Sequence, residues 1–235
     1  MKLKDKVAVV TGVSDGLGRE IALKLAKEGV SLALLARDEN RLQKVAIEAR
    51  KLGSPSVSYY ICDLGDRKQI EASVKTILSD FKDINILINN AGIWHKRGQL
   101  EEINEDLIEQ IIRVNLTAVI QLTRLLLPSI REQKDAAIIN ISSRSGVRIA
   151  EGQSVYSASK WGVRGFTEVL KTDLVNTSVK VAAVYQAGVR TKLFEKAKED
   201  MPTKKYMEPT DLAEIIIFML SRPPKLWLYD VRVEY

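Results

Sequence analysis

Short apolar runs rich in β-branched residues alternate with longer amphipathic stretches along the whole chain. The runs fall at 6–11, 30–36, 57–62, 84–89, 136–142, 179–185 and 226–233. They are continuous rather than alternating, which predicts strands buried on both faces. Helical periodicity occupies 17–28, 40–52, 67–81, 105–131, 154–176 and 210–221, the last opening after Pro209. Seven strands with six intervening helices and no Gly/Ser/Pro-rich linker predict one doubly wound parallel α/β sheet, a single domain over residues 1–235. The one long irregular stretch, 190–208, exceeds an ordinary connection between helix and strand. Excursions of that length in this architecture cover a site, so a lid is expected there.

Composition narrows the class. The 36 Lys and Arg against 30 Asp and Glu leave a net charge of +6. The basic residues are interleaved with acids, a pattern that fits a phosphate-bearing small molecule better than nucleic acid. The single cysteine, Cys62, excludes an internal disulfide and fits a reducing compartment. At the end of an apolar run, it reads as core. The longest apolar run, 215–220, is too short to span a bilayer, and a cytoplasmic protein is expected.

Candidate chemistry begins in the turn after the first strand, Thr11-Gly12-Val13-Ser14-Asp15-Gly16-Leu17-Gly18. Glycines there permit a tight turn, close approach of backbone N–H groups to a pyrophosphate, and close helix–strand packing. Where the second strand ends, an NAD site would place an acid for the ribose 2′-hydroxyl. Ala36 and Arg37 stand there instead, and a guanidinium suits a 2′-phosphate. NADP is therefore expected over NAD, with Asp38 as an alternative ribose ligand. Asn89-Asn90-Ala91-Gly92 follows the fourth strand, across the switch point from the first. Asn115 interrupts a helical stretch in which asparagine is a weak former. Tyr156 and Lys160 are four apart on one helix face, so an ammonium can lie beside a phenol and lower its pKa from about 10. Ser143 lies thirteen residues before that tyrosine.

With these motifs in this order the sequence resembles the short-chain dehydrogenase/reductase family over nearly its whole length. The resemblance rests on Thr11-Gly12-x-x-x-Gly16-x-Gly18, Asp63-Leu64, Asn89 to Gly92, Val114-Asn115, Ile141 to Ser143 and Tyr156-x-x-x-Lys160. It implies a catalytic four of Asn115, Ser143, Tyr156 and Lys160. It also implies that Asp63 with Leu64 binds the adenine, that Asn90, Ala91 and Gly92 lie along the adenosine ribose, and that Val189 and Thr191 hold the nicotinamide. Gly12, Ser14, Asp15, Gly16, Leu17 and Gly18 would form the pyrophosphate loop, with Arg37 on the 2′-phosphate. One departure stands out: Gln186-Ala187 replaces the Pro-Gly pair usual after the sixth strand, and losing proline should loosen that turn.

The implied function is an NADP(H)-dependent oxidoreductase, with NAD(H) as a second possible cofactor, interconverting a carbonyl and an alcohol. A cofactor-binding sensor or scaffold of the same fold is the alternative. Substrate identity is not written in the sequence. Trp94 and Trp161 adjoin the motifs and are candidates for the pocket wall, whereas His95, beside Lys96 and Arg97, reads as an exposed loop residue. The helices at 105–131 and 154–176 carry apolar residues on more than one stripe, including Leu107, Ile111, Leu122, Leu125, Phe166 and Leu170. Such faces, and the resemblance, imply a homodimer or homotetramer.

Overall fold

The computed structural model describes residues 1–223 and 225–234. Seven parallel strands form one sheet in the order β3-β2-β1-β4-β5-β6-β7. They are β1 (Val7–Thr11), β2 (Ser31–Ala36), β3 (Val57–Ile61), β4 (Ile86–Asn89), β5 (Ala136–Ile141), β6 (Val179–Gln186) and β7 (Asp230–Val233). The expected doubly wound sheet is therefore present, and the order reverses between β1 and β4.

Alternation along the strands feeds two cores. Ala8, Val10, Ile86, Ile88, Ala137, Ile139, Ala182 and Val184 pack on one side with α1 (Gly16–Lys27), α2 (Glu39–Lys51) and α8 (Pro209–Ser221). Val9, Leu87, Ile138 and Val181 pack on the other. There they meet α3 (Arg67–Asp80), α5 (Ala118–Arg131) and α6 (Ser154–Asp173). Strands buried on both faces explain why their sequences lack a polar alternation.

The stretch read as one helix over 105–131 is α4 (Glu105–Ile112) and α5 joined by a π-helical turn, Arg113–Thr117. Its length and apolar content would suffice to cross a bilayer. Several of its apolar side chains instead pack inside the protein: Ile111, Leu122, Leu126 and Ile130 are fully buried. Five residues expected on an outward subunit face are thus placed differently. Ile111, Leu122 and Leu170 are buried in the interior, and Leu125 and Phe166 pack against the core. The exposed apolar side chains of these helices are Ile120 on α5 and Trp161 and Val169 on α6. The last strand is shorter than its apolar run. Only Asp230–Val233 joins the sheet; at Trp227 it is the side chain that bonds β6, its indole N–H donating to the Val181 carbonyl at 3.0 Å.

The excursion after β6 folds on itself. A bridge joins Val189 to Met207, and α7 (Leu193–Lys196) lies between them. The Gln186-Ala187 turn, which lacks the usual proline, is held by sheet bonds. Gln186 extends β6 opposite Val233, and the Ala187 N–H donates to the Val233 carbonyl at 2.9 Å. Sheet bonds thus restrain what proline would otherwise have stiffened.

Candidate active site

A continuous cleft of about 1300 Å³ opens at the carboxyl ends of the strands, where β1 and β4 diverge. Its floor is knitted together by polar bonds. Thr11 Oγ1 accepts the N–H groups of Asn90 and Ala91, both at 3.0 Å, while Asn90 Nδ2 donates to the Thr11 carbonyl at 2.9 Å. This closeness forces glycine at two positions. Gly12 has φ +71°, and a Cβ on Gly18 would sit 2.3 Å from the Gly12 carbonyl oxygen and 2.4 Å from Asn90 Nδ2. The first turn of α1 therefore presents bare backbone. Its N-cap, Asp15, makes no side-chain bond to it, leaving N–H groups and the positive end of the helix dipole for an anion. The Asp15 carboxylate instead takes Arg41 and Lys196, each at 3.0 Å.

Ala36, Arg37, Asp38, Asp63 and Leu64 line the far end of this cleft. Arg37 is exposed, with its nearest acid oxygen, on Asp63, 4.0 Å away. Asp38 caps α2: it accepts the Arg41 N–H at 3.0 Å and pairs with the Arg41 guanidinium at 3.1 Å. Arg41 thus brings a second guanidinium to the same corner. It stands in the first turn of α2, just past the Asp38 cap. Cys62 is buried, and burial raises its thiol pKa, as expected of a core cysteine.

Beside β4 and β5 the cleft holds Ser143, Tyr156 and Lys160 together. Ser143 follows β5, while one face of α6 carries both Tyr156 and Lys160, each buried. Burial pushes the Tyr156 pKa up to about 12, and the hydrogen bond between its hydroxyl and Ser143 pulls it back only in part. Lys160 goes the other way. Desolvation lowers its pKa to about 8, and Nζ donates to the Ile141 carbonyl at 3.1 Å while lying 5.7 Å from the tyrosine ring centroid. Burial thus dominates at the phenol, and the ammonium is turned to a backbone carbonyl.

Asn115 sits fully buried in the π turn. Its side chain clamps the loop after β4, with Nδ2 donating to the Ile93 carbonyl at 2.9 Å and Oδ1 accepting the Ile93 N–H at 2.8 Å. A Cβ on Gly92 would lie 3.3 Å from Asn115 Oδ1 and 3.5 Å from Lys160 Nζ, so the loop passes between them. Val189 and Thr191 complete the wall, where Thr191 abuts Gly16.

Two aromatic expectations divide. Trp94 lines the cleft, its ring 4.5 Å edge-on from Tyr156 and 5.3 Å from Phe194 of α7. Its Nε1–H donates to Glu199, tying the excursion after β6 to the loop after β4. Trp161 does not reach the cleft: it lies on the outer face of α6 under Arg164. His95 is likewise corrected. It is 2 % exposed, because the loop that carries it folds back under the first turn of α6. Phe194 and Tyr206 were not foreseen, since apolar residues in an irregular stretch carry no period that says where they face.

A sequence model of the short chain dehydrogenase family matches residues 6–202. An uncharacterized oxidoreductase of Staphylococcus saprophyticus is 34% identical over 233 residues, covering 99% of this chain and 98% of that protein. An alcohol dehydrogenase from the archaeon Thermococcus sibiricus, solved with 5-hydroxy-NADP, superposes with a TM-score of 0.90 at 28% identity, covering 98% of this chain and 96% of that one. The 3-ketoacyl-(acyl-carrier-protein) reductase of Brucella melitensis, solved with NADH, gives 0.87 at 28% identity, covering 98% and 97%. With the glycine turn, the Asn-Asn-Ala-Gly floor and the Ser143, Tyr156 and Lys160 constellation all in one cleft, the chain belongs to the short chain dehydrogenase family.

Proposed function

We propose that the protein is an NADP(H)-dependent oxidoreductase that interconverts a ketone or aldehyde with an alcohol. The observation that carries this reading is the Ser143–Tyr156–Lys160 cluster at one end of a cleft whose other end presents a bare helix N-terminus. The residues fit the cofactor: the place a Gly18 Cβ would fill is closed by backbone, and the first turn of α1 faces the cleft. Gly12, Ser14, Gly16, Leu17 and Gly18 would hold the pyrophosphate, and Asp63 with Leu64 the adenine. Asn90, Ala91 and Gly92 would lie along the adenosine ribose, with Val189 and Thr191 at the nicotinamide. Arg37 and Arg41 would clamp the 2′-phosphate, and Asp38, engaged as the α2 cap, is poorly placed to read a ribose hydroxyl. When bound, the nicotinamide supplies or takes the hydride.

Ser143 holds the substrate oxygen by a hydrogen bond. Tyr156 delivers a proton to that oxygen as its carbon gains hydride, and takes one back in the reverse direction. Lys160 holds the nicotinamide ribose hydroxyls. With cofactor bound, its ammonium would stabilise the phenolate left on Tyr156. Asn115 keeps the Gly92–Ile93 loop against the lysine. The segment 190–208 closes over the cleft as a lid, pinned through Trp94–Glu199 and Asp15–Lys196. The exposed Ile120, Trp161 and Val169 belong to a homodimer or homotetramer contact between copies of α5 and α6. The test is a screen of aldehydes and ketones following NADPH absorbance, with NADH in parallel; turnover faster with NADPH supports the reading. Cofactor binding without turnover on any carbonyl would favour a sensor.

A further inference from the structure

The first turn of α6, which carries Tyr156, has no cap of its own. Its N-cap, Gln153, makes no side-chain bond to the helix, and the Gln153 side chain is engaged with Ser145 instead. Tyr156 is the third residue of α6, so its N–H has no partner four residues back within the helix. The residue is buried, which leaves an unmatched amide there costly.

His95, from the loop after β4, supplies the missing acceptor. Its Nε2 lies 3.3 Å from the Tyr156 nitrogen, and its Nδ1 lies 2.8 Å from the Lys96 carbonyl oxygen. A carbonyl only accepts and an amide N–H only donates, so both contacts are satisfied by one state: a neutral ring with its proton on Nδ1. Nε2 then places a lone pair at the positive end of α6. Trp94 stacks on the imidazole at 5.9 Å with an interplanar angle of 12°, and the Gly98 N–H donates to the Gly152 carbonyl at 3.3 Å. The loop is thus joined both to the helix and to the segment that leads into it.

We propose that His95 is a positioning residue for Tyr156: by capping the turn that carries the phenol, it holds the proton donor in register with the loop after β4. This rests on Tyr156 being the proton donor. A displacement of about 1 Å in a reacting group can cost up to about a hundredfold in rate, so loss of the cap is expected to fall on kcat.

The test compares four variants on NADPH and one carbonyl substrate. His95→Leu fills the site but accepts nothing. His95→Asn keeps an amide near Nδ1 but does not reach Tyr156. His95→Gln places an amide oxygen near Nε2, and Tyr156→Phe reports on the underlying reading. The Leu and Asn variants are expected to lose roughly 10- to 100-fold in kcat. Their KM and NADPH affinity, the latter read by cofactor fluorescence, should stay within about threefold of wild type. Gln is expected to restore most of the rate. Wild-type kcat in His95→Leu, or a Gln variant as slow as Leu, would overturn the inference, and the second result would mean the ring matters only as packing. Should Leu fail to fold, Asn against Gln decides. A fast Tyr156→Phe variant would sink the donor reading itself, whereas a slow one beside a fast His95→Leu would sink this inference alone.

Discussion

Asp38 accepts both the backbone N–H of Arg41 and its guanidinium, at 3.0 and 3.1 Å. One carboxylate thus starts helix α2 and holds a cation at the corner of the cleft where Arg37 also stands. An acid engaged in this way is a poor ribose ligand, and a corner with two guanidinium groups suits a phosphate.

If that corner reads the 2′-phosphate, Arg37→Ala and Arg41→Ala should each weaken NADPH binding by about tenfold to a hundredfold, the scale of one charge-assisted hydrogen bond. NADH binding should change little. Fluorescence titration of both cofactors checks this, and equal losses for the two would refute it. Asp38→Ala should lower stability by about 1 kcal/mol through the lost cap, with little gain in NADPH over NADH affinity.

Gly18→Ala should abolish cofactor binding and destabilise the fold by about 1–3 kcal/mol, because the added methyl meets backbone and an amide that are themselves bonded to Thr11. Thermal melts and NADPH titration of the variant measure the two effects. A stable variant that still binds would show the β1–α1 turn to be looser than drawn.

Lys160 gives a pH signature in the cofactor-free protein. Its folded pKa, about 8, lies below the unfolded value of 10.5. Between those values the unfolded chain binds more protons, so the contribution of this residue to stability rises with pH, and it is lost as pH falls through about 8. Lys160→Met removes that dependence. The melting temperature of Lys160→Met relative to wild type should therefore be higher at pH 7 than at pH 9.5. A constant difference would mean that the lysine is not desolvated.

The order of elements, the glycine turn and the catalytic spacing were legible because each depends on local sequence. Strands buried on both faces are continuous apolar runs, and a four-residue interval fixes a shared helix face. What escaped was set by contacts distant in sequence. The burial of His95 depends on a helix sixty-one residues later. Whether Trp161 faces the cleft depends on which stripe of α6 the sheet covers. The short β7 goes with the Trp227 indole taking the Val181 carbonyl, a contact across forty-six residues. The π turn at Asn115 has no periodic signature, and the tyrosine pKa reflects burial that spacing alone does not reveal.

Subunit assembly should respond to the stripe that is exposed rather than to the one that is buried. Val169→Glu and Gly165→Arg, on the outer face of α6, should shift the mass toward one chain of 26.3 kDa. Light scattering reads the change. A wild type already at that mass, and active, would remove the contact.

The most direct test of the proton-transfer role is single-turnover carbonyl reduction by Tyr156→Phe. Removing one hydroxyl leaves the ring packed against Trp94 and leaves the glycine turn untouched. The expected result is a rate lower by roughly 10²–10⁴-fold, with NADPH affinity within about threefold of wild type. A phenylalanine variant that reduces the carbonyl at near wild-type rate would contradict Tyr156 as the proton donor.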